Sequence, residues 1–543
     1  MADNKDPMIP DGDVNPIDTD YKVGQDNILV NVGPFGLDIH NRVFAISGLM
    51  VVAFVVLTLA FQNQVEPMFT SMRGWLTSNL DWFFLGAGNI FVLVCLGLVV
   101  SPLGKVRLGG TEATPDYTYL GWFSMLFAAG MGIGLMFFGV SEPLSHFGSA
   151  FGGTAMENGV RTDWAPLGAA AGDAEAATRL GMAATIYHWA LHPWAIYAIL
   201  ALGLALFSFN KGLPLTVRSV FYPLLGERVW GWPGHLIDIL AVLATLFGLA
   251  TSLGYGAAQA SSGLNFLFDV PLGNTTQIVL VIGITAIALF SVVAGLDAGV
   301  KRLSEINMIL AALLLLFVVA VGPTLDIVTG FFGNLGAYFQ HLPALSNPVG
   351  RDDANFSQGW TAFYWAWWIS WSPFVGMFIA RVSRGRTVRE FIVSVLIVPS
   401  LACVLWMTVF GETAIIQFVR DGYEAATKAE LPLQLFSMLD GLPLAQITSF
   451  IAIILVVVFF VTSSDSGSLV IDVIAAGGKV DAPTPQRVFW CVFEGLVAIA
   501  LILGGGLVAL QAMAVSTGLP FTIVLLMSTV AVIKGLASEP RSS

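Results

Sequence analysis

Charge is scarce in this sequence. Only 11% of its 543 residues are Asp, Glu, Lys or Arg, against about 25% in a soluble domain. A shortage of that size over so long a chain excludes an ordinary soluble enzyme. Basic residues are the scarcer sign, 24 against 36 acidic, and the net charge of −12 argues against nucleic acid as a partner. Cysteine is nearly absent. Cys95, Cys403 and Cys491 each sit inside an apolar run, so they form no disulfide framework. No cleavable signal peptide is visible. No G-x-x-x-x-G-K-[ST], H-E-x-x-H or C-x-x-C pattern occurs, and no nucleophile–base set is apparent, so the chain does not read as an enzyme or a nucleotide-driven pump. It offers no cofactor site. Any uphill work must draw on an ion gradient.

What the sequence has is apolar length. Hydrophobic residues make up 56% of it, and the mean hydropathy is +0.79. A membrane-crossing helix needs about 20 mostly apolar residues. About twelve such runs occur, centred on 43–62, 82–101, 119–140, 182–207, 235–257, 276–296, 305–323, 360–380, 388–410, 447–471, 486–506 and 513–533. Barrel strands are alternating segments of about ten residues, and lipid offers the backbone no hydrogen bonds. The fold expected is therefore an all-α polytopic membrane protein. With the N-terminus inside, the inner loops hold 13 Lys and Arg and the outer loops 6, the asymmetry that sets topology. Both termini are then cytoplasmic, as an even number of spans requires. Residues 1–40 hold eight Asp and two Lys and read as a solvated, disordered acidic tail. The segment 324–345 is apolar but interrupted and reads as an interfacial helix on the outer face.

Three stretches carry chemistry. In the third run, Ala128-Ala-Gly-Met-Gly-Ile-Gly134 sets glycines at alternate positions, each costing about 1 kcal/mol in a helix relative to alanine. Such a stretch either packs closely against another helix or unwinds at the midplane, freeing carbonyls for a cation and N–H groups for an anion. Glu142 and Pro143 end this run and read as a membrane-edge acid and a helix stop. The fourth run holds His188-Trp-Ala-Leu-His-Pro-Trp-Ala-Ile-Tyr197, where Pro193 removes a backbone donor and bends the helix, bringing Trp189, Trp194 and Tyr197 together. His188 and His192 read as packing histidines. The eighth run places four tryptophans, Trp365, Trp367, Trp368 and Trp371, within seven residues, well inside the run. Clustered aromatic faces attract a quaternary ammonium, whose charge cannot donate hydrogen bonds.

On these residues the chain resembles the betaine/choline/carnitine transporters. The match is carried by Gly130–Gly134, Trp189–Tyr197 and, most specifically, YWAWWISWSPFVGMFIARVSRGRTVR from Tyr364 to Arg389. The resemblance implies a leucine-transporter-like fold with two inverted five-helix repeats. Residues 41–115 would form two peripheral helices, 116–345 the first repeat with the interfacial helix, 346–535 the second repeat, and 536–543 a short cytoplasmic end. That short end gives no expectation of osmotic sensing by a tail. The resemblance also implies a homotrimer among membrane lipid. It puts substrate on Trp189, Trp194, Tyr197 and Trp368, with Gly130, Met131, Gly132 and Gly134 alongside and Trp371 and Phe374 along the path. It implies a sodium ion, the coupling ion, on Ala128, Met131, Phe459, Thr462 and Ser463. A second sodium site would use Thr245 and Phe374. Its other threonine is replaced by Leu249, which offers no oxygen and puts that site in doubt.

The function this implies is sodium symport, by alternating access, of a small zwitterionic onium compound such as glycine betaine or dimethylsulfoniopropionate. The alternative is a proton-coupled choline or carnitine transporter. Relatives that carry choline tend to have an aspartate at the position of Gly134. Glycine there predicts a zwitterion as the better substrate, because a net cation at the midplane needs a carboxylate nearby.

Overall fold

A computed structural model describes residues 9–32, 35–130, 132–168, 170–294 and 297–541. Among these the regular structure is helical apart from two short hairpins, Asn27–Val32 with Phe35–His40 and Met156–Glu157 with Val160–Arg161. Among the described residues ten helices are long and apolar enough to cross a membrane, and the broken third run makes an eleventh. The twelfth run is the helix Ala362–Arg381, span eight. Its Trp, Tyr and Ser residues lower its hydropathy, but it has little need to match lipid. It packs against Leu191–Ala205, Trp232–Phe268 and Gly506–Ala537, and most of its side chains are buried.

The spans sort by depth. Within their most apolar 18-residue stretches, span four (Ala174–Asn210) and span five (Trp232–Phe268) have 94% and 89% of residues buried, whereas span six (Asn274–Ala294) and span seven (Arg302–Val321) have only 22%. Phe290, Val293, Leu313 and Leu316 stand exposed on the peripheral pair, as a lipid-facing surface requires. The helix Thr324–Leu345 buries a stripe at helical spacing, Ile327, Gly330, Asn334 and Tyr338, and leaves Leu325, Phe332 and Phe339 exposed. Asn334 fixes it to the rest by donating to Thr408 Oγ1 at 3.1 Å and Glu412 Oε2 at 2.8 Å.

Two spans are interrupted where the sequence weakens them. In span three, Tyr119–Ala128 meets Ile133–Phe151 at 66°, and Gly132 is fully extended at φ −166°, ψ −170°. The alternate glycines thus accompany a real break. In span four, Ala174–Trp189 ends and Leu191–Ala205 begins on either side of Ala190. Pro193 is the cause: it has no N–H to give the carbonyl four residues back.

The N-terminal segment differs from the expectation of a disordered tail. From Ile9 onward its described residues lie against one face of the bundle. Asp11 pairs with Arg384 at 2.8 Å. Asn15 Nδ2 donates to the Ser538 carbonyl at 3.2 Å, and Tyr21 stacks on Trp230 with ring centroids 4.0 Å apart. Asp38 pairs with Lys479. Composition revealed the acidic charge but not the basic loop residues that pair with it. The contact with Ser538 also shows that the described N-terminal segment and the end of the last span lie on the same face.

Candidate functional site

The two interruptions lie against one another beside span eight. Between them lies a cavity of about 200 Å³, bordered by Gly132–Leu135, Trp189, Tyr197 and Trp368. Trp371, Phe374 and Phe378 continue its wall along span eight. These residues lead toward the end of the helix where Arg384 meets Asp11, the face against which the N-terminal segment lies. On the other side a layer of rings closes it. Phe138, Tyr255 and Trp367 lie with centroids 5.4–6.1 Å apart. Beyond them is a second cavity of about 210 Å³ lined by Arg73, Trp360 and Gln511.

The break at Ala190 builds the aromatic part of the site. A helix end leaves carbonyls without intrahelical donors, and here two of them orient tryptophans. Trp368 Nε1 donates to the His188 carbonyl at 3.0 Å. Trp194 Nε1 donates to the Trp189 carbonyl at 3.2 Å, taking the place of the N–H that Pro193 lacks. Trp189 stands perpendicular to Trp368 with centroids 5.1 Å apart, and Tyr197 closes the group at 5.7 Å from Trp368 and 5.4 Å from Trp194. All three indole N–H groups are satisfied by protein, so the rings offer π faces rather than donors. Trp189, Tyr197 and Trp368 border the cavity, while Trp194 lies behind Tyr197 as its support.

The other expected residues divide clearly. Ala128, Phe459, Thr462 and Ser463 share the cavity wall, on the first half of span three and on span ten (Ala445–Ala475). Met131 lies outside the described residues; Gly130 closes the helix just before it. Thr462 Oγ1 lies 3.1 Å from both the Val458 and Phe459 carbonyls. It donates back into its own turn, which leaves its lone pairs available to a cation. Among the second-site residues, Thr245 is buried and bonded to the Ala241 carbonyl at 2.7 Å, and Leu249 packs onto Gly467. Phe374 belongs to the cavity.

Glu142 corrects the sequence reading. It is not a membrane-edge acid but a fully buried hub. Its Oε2 accepts from Trp189 Nε1 at 2.7 Å and Tyr364 Oη at 2.5 Å. Its Oε1 lies 2.6 Å from His188 Nδ1 and 3.3 Å from His146 Nε2. With its proton on Nδ1, His188 donates to Glu142 and accepts from Thr361 at 2.9 Å through Nε2. His188 is therefore satisfied, as expected of a packing histidine, but by a carboxylate. The ligand atoms of Glu142, His146 and His188 all lie within 4.8 Å of one another, a spacing that a metal ion could bridge. The carboxylate already receives four hydrogen-bonding groups, and that saturation leaves a metal little to coordinate. A signal for this hub was present in the sequence: Glu142 and His146 sit one helical turn apart, immediately after a run without charge.

The sequence profile of the BCCT, betaine/carnitine/choline family transporters matches residues 42–541. A glycine betaine/proline/choline transporter of Vibrio parahaemolyticus is 75% identical over 534 residues, 98% of this chain and 97% of the relative. Glycine betaine transporter 1 of the same organism is 53% identical, covering 96% of this chain and 97% of its own. A glycine betaine transporter of Bacillus subtilis is 40% identical over 88% of this chain and 91% of its own.

Proposed function

The chain belongs to the betaine/carnitine/choline transporter family, and we propose that it imports glycine betaine by sodium symport through alternating access. The observation that carries the substrate is the set of three π faces on the cavity, Trp189, Tyr197 and Trp368, with the indole N–H groups of Trp189 and Trp368 both bonded within the protein. A desolvated onium gains up to about 2 kcal/mol from such a face. The carboxylate of the same molecule suits the start of the helix Ile133–Phe151, whose first N–H groups have no intrahelical acceptor and whose positive dipole end borders the cavity. The name of the 75% identical relative includes proline and choline. In this reading both are accepted here with lower affinity than betaine, since choline brings no carboxylate to the helix start and proline no quaternary ammonium to the rings.

Sodium coupling is supported by the gathering of Ala128, Phe459, Thr462 and Ser463 on the cavity wall, a set of hydroxyls and carbonyls suited to a hard cation. The closed ring layer and the wall continuing toward the face of the N-terminal segment fit the inward-facing member of an alternating pair. The reading includes two inverted repeats, spans 3–7 and 8–12, a homotrimer, and an inner-membrane location with both termini cytoplasmic. The test is labelled betaine uptake into proteoliposomes under imposed gradients. Sodium-driven accumulation with potassium on both sides is expected. Equal uptake driven by a proton gradient without sodium would assign the coupling to protons.

A further inference from the structure

We propose that Glu142 is the positioning residue of the onium site: its carboxylate sets the angle and depth of the Trp189 ring and locks that ring to three spans at once. This rests on the substrate reading above. Trp189 is the last residue of its helix before the break, where a side chain has the least support from a following turn. Its one polar handle, Nε1, points away from the cavity to Glu142 Oε2 at 2.7 Å. The same oxygen holds Tyr364 of span eight at 2.5 Å, and the other oxygen holds His188 at 2.6 Å. Glu142 itself rides on Ile133–Phe151, the second half of the broken span. The ring is therefore fixed relative to the helix start that faces the substrate carboxylate and to the helix that supplies Trp368. Both ends of a zwitterion are referred to one buried group.

A side chain so placed could also act simply by its charge. Glu142 is separated from the cavity by the Trp189 ring and does not border it. A carboxylate engaged by four donors presents little unscreened charge to the cavity. Positioning and charge make opposite demands on substitution, and betaine affinity distinguishes them.

The experiment is a double-mutant cycle in the full-length detergent-purified protein, reading betaine Kd by intrinsic fluorescence, with melting temperature recorded alongside. Glu142→Gln replaces one acceptor by a donor and is expected to weaken binding about tenfold. Trp189→Phe keeps a ring but removes the N–H. In that background Glu142→Gln is expected to cost less than about twofold, because the contact it breaks is already gone. Equal losses in both backgrounds would overturn the proposal and assign Glu142 a direct electrostatic role. Glu142→Asp keeps the charge but draws it back by one methylene; weakened binding supports positioning, and unchanged affinity overturns it. The aspartate variant also serves if the glutamine variant does not fold. A wild type that fails to bind betaine would sink the substrate reading instead, and these outcomes do not overlap.

Discussion

Gly134 lies so close to Trp189 that a Cβ on the glycine would stand 2.7 Å from Cη2 of the indole, and 3.2 Å from Cη2 of Trp367. Glycine at this position makes room for the ring that forms one wall of the box. Its neighbour Gly132 supplies the extended backbone, so the two glycines do different work.

Gly134→Ala is expected to displace Trp189 and weaken betaine binding by roughly tenfold, part of the cation–π contribution. Gly134→Asp adds a carboxylate as well, which repels that of betaine and favours a net cation. The ratio of choline to betaine affinity is expected to rise in the aspartate variant relative to the alanine variant. Competition against labelled betaine measures both. An alanine variant with wild-type affinity would show that the ring does not depend on this gap.

Much of this was legible in the sequence. The bend in span four followed from Pro193, and the alternate glycines left a break in span three as one of two outcomes, because both act on the backbone locally. The aromatic box followed from tryptophan density far from the ends of its runs. What stayed hidden depends on partners distant in sequence. Glu142 closes a run and resembles an interfacial acid until His188, Trp189 and Tyr364 fold around it. The acidic N-terminus resembles a solvated tail until Arg384 and Lys479 are beside it. Trp194 matches the family pattern, yet it works from behind Tyr197.

Trp368 spans the site, perpendicular to both Trp189 and Tyr197. Trp368→Leu removes that face and frees the His188 carbonyl that its N–H satisfied. Betaine affinity is expected to fall at least tenfold with expression intact, a loss within the ~2 kcal/mol of a desolvated cation–π contact. Unchanged quenching in a tryptophan-fluorescence titration would remove Trp368 from the site.

Leu249 meets Gly467 so closely that a Cβ there would lie 2.3 Å from a leucine methyl. Hydrocarbon thus fills the place where a second threonine would present oxygen. Betaine uptake is expected to depend on sodium with a Hill coefficient near one, and a value near two would contradict the single-site reading. If these hydroxyls hold the sodium, joint replacement of Thr462 and Ser463 by alanine is expected to raise the sodium concentration for half-maximal uptake at least tenfold, since two oxygens of the proposed set are lost. Potassium-buffered controls distinguish this from general damage.

The docked N-terminus carries a pH dependence whose sign follows from His40. Its Nδ1 accepts from the backbone N–H groups of Arg42 and Val43, each at 3.3 Å, where span one begins. Its Nε2 lies 3.3 Å from Arg218 Nη1 and 3.7 Å from Asp26, and His235 stacks edge-on at 4.9 Å. Burial, then Arg218, His235 and Arg42, lowers its pKa from 6.5 to about 3. A released segment would take up a proton near pH 6.5, whereas the docked one resists protonation down to about 3. Docking is therefore strongest above pH 6.5 and weakens as pH falls through that window. Limited proteolysis in detergent is expected to cut within residues 9–40 faster at pH 5 than at pH 7.5, with the protease calibrated on an unfolded substrate at each pH. His40→Gln keeps an acceptor but cannot titrate, and the difference is expected to vanish. If it persists in that variant, His40 is not its source.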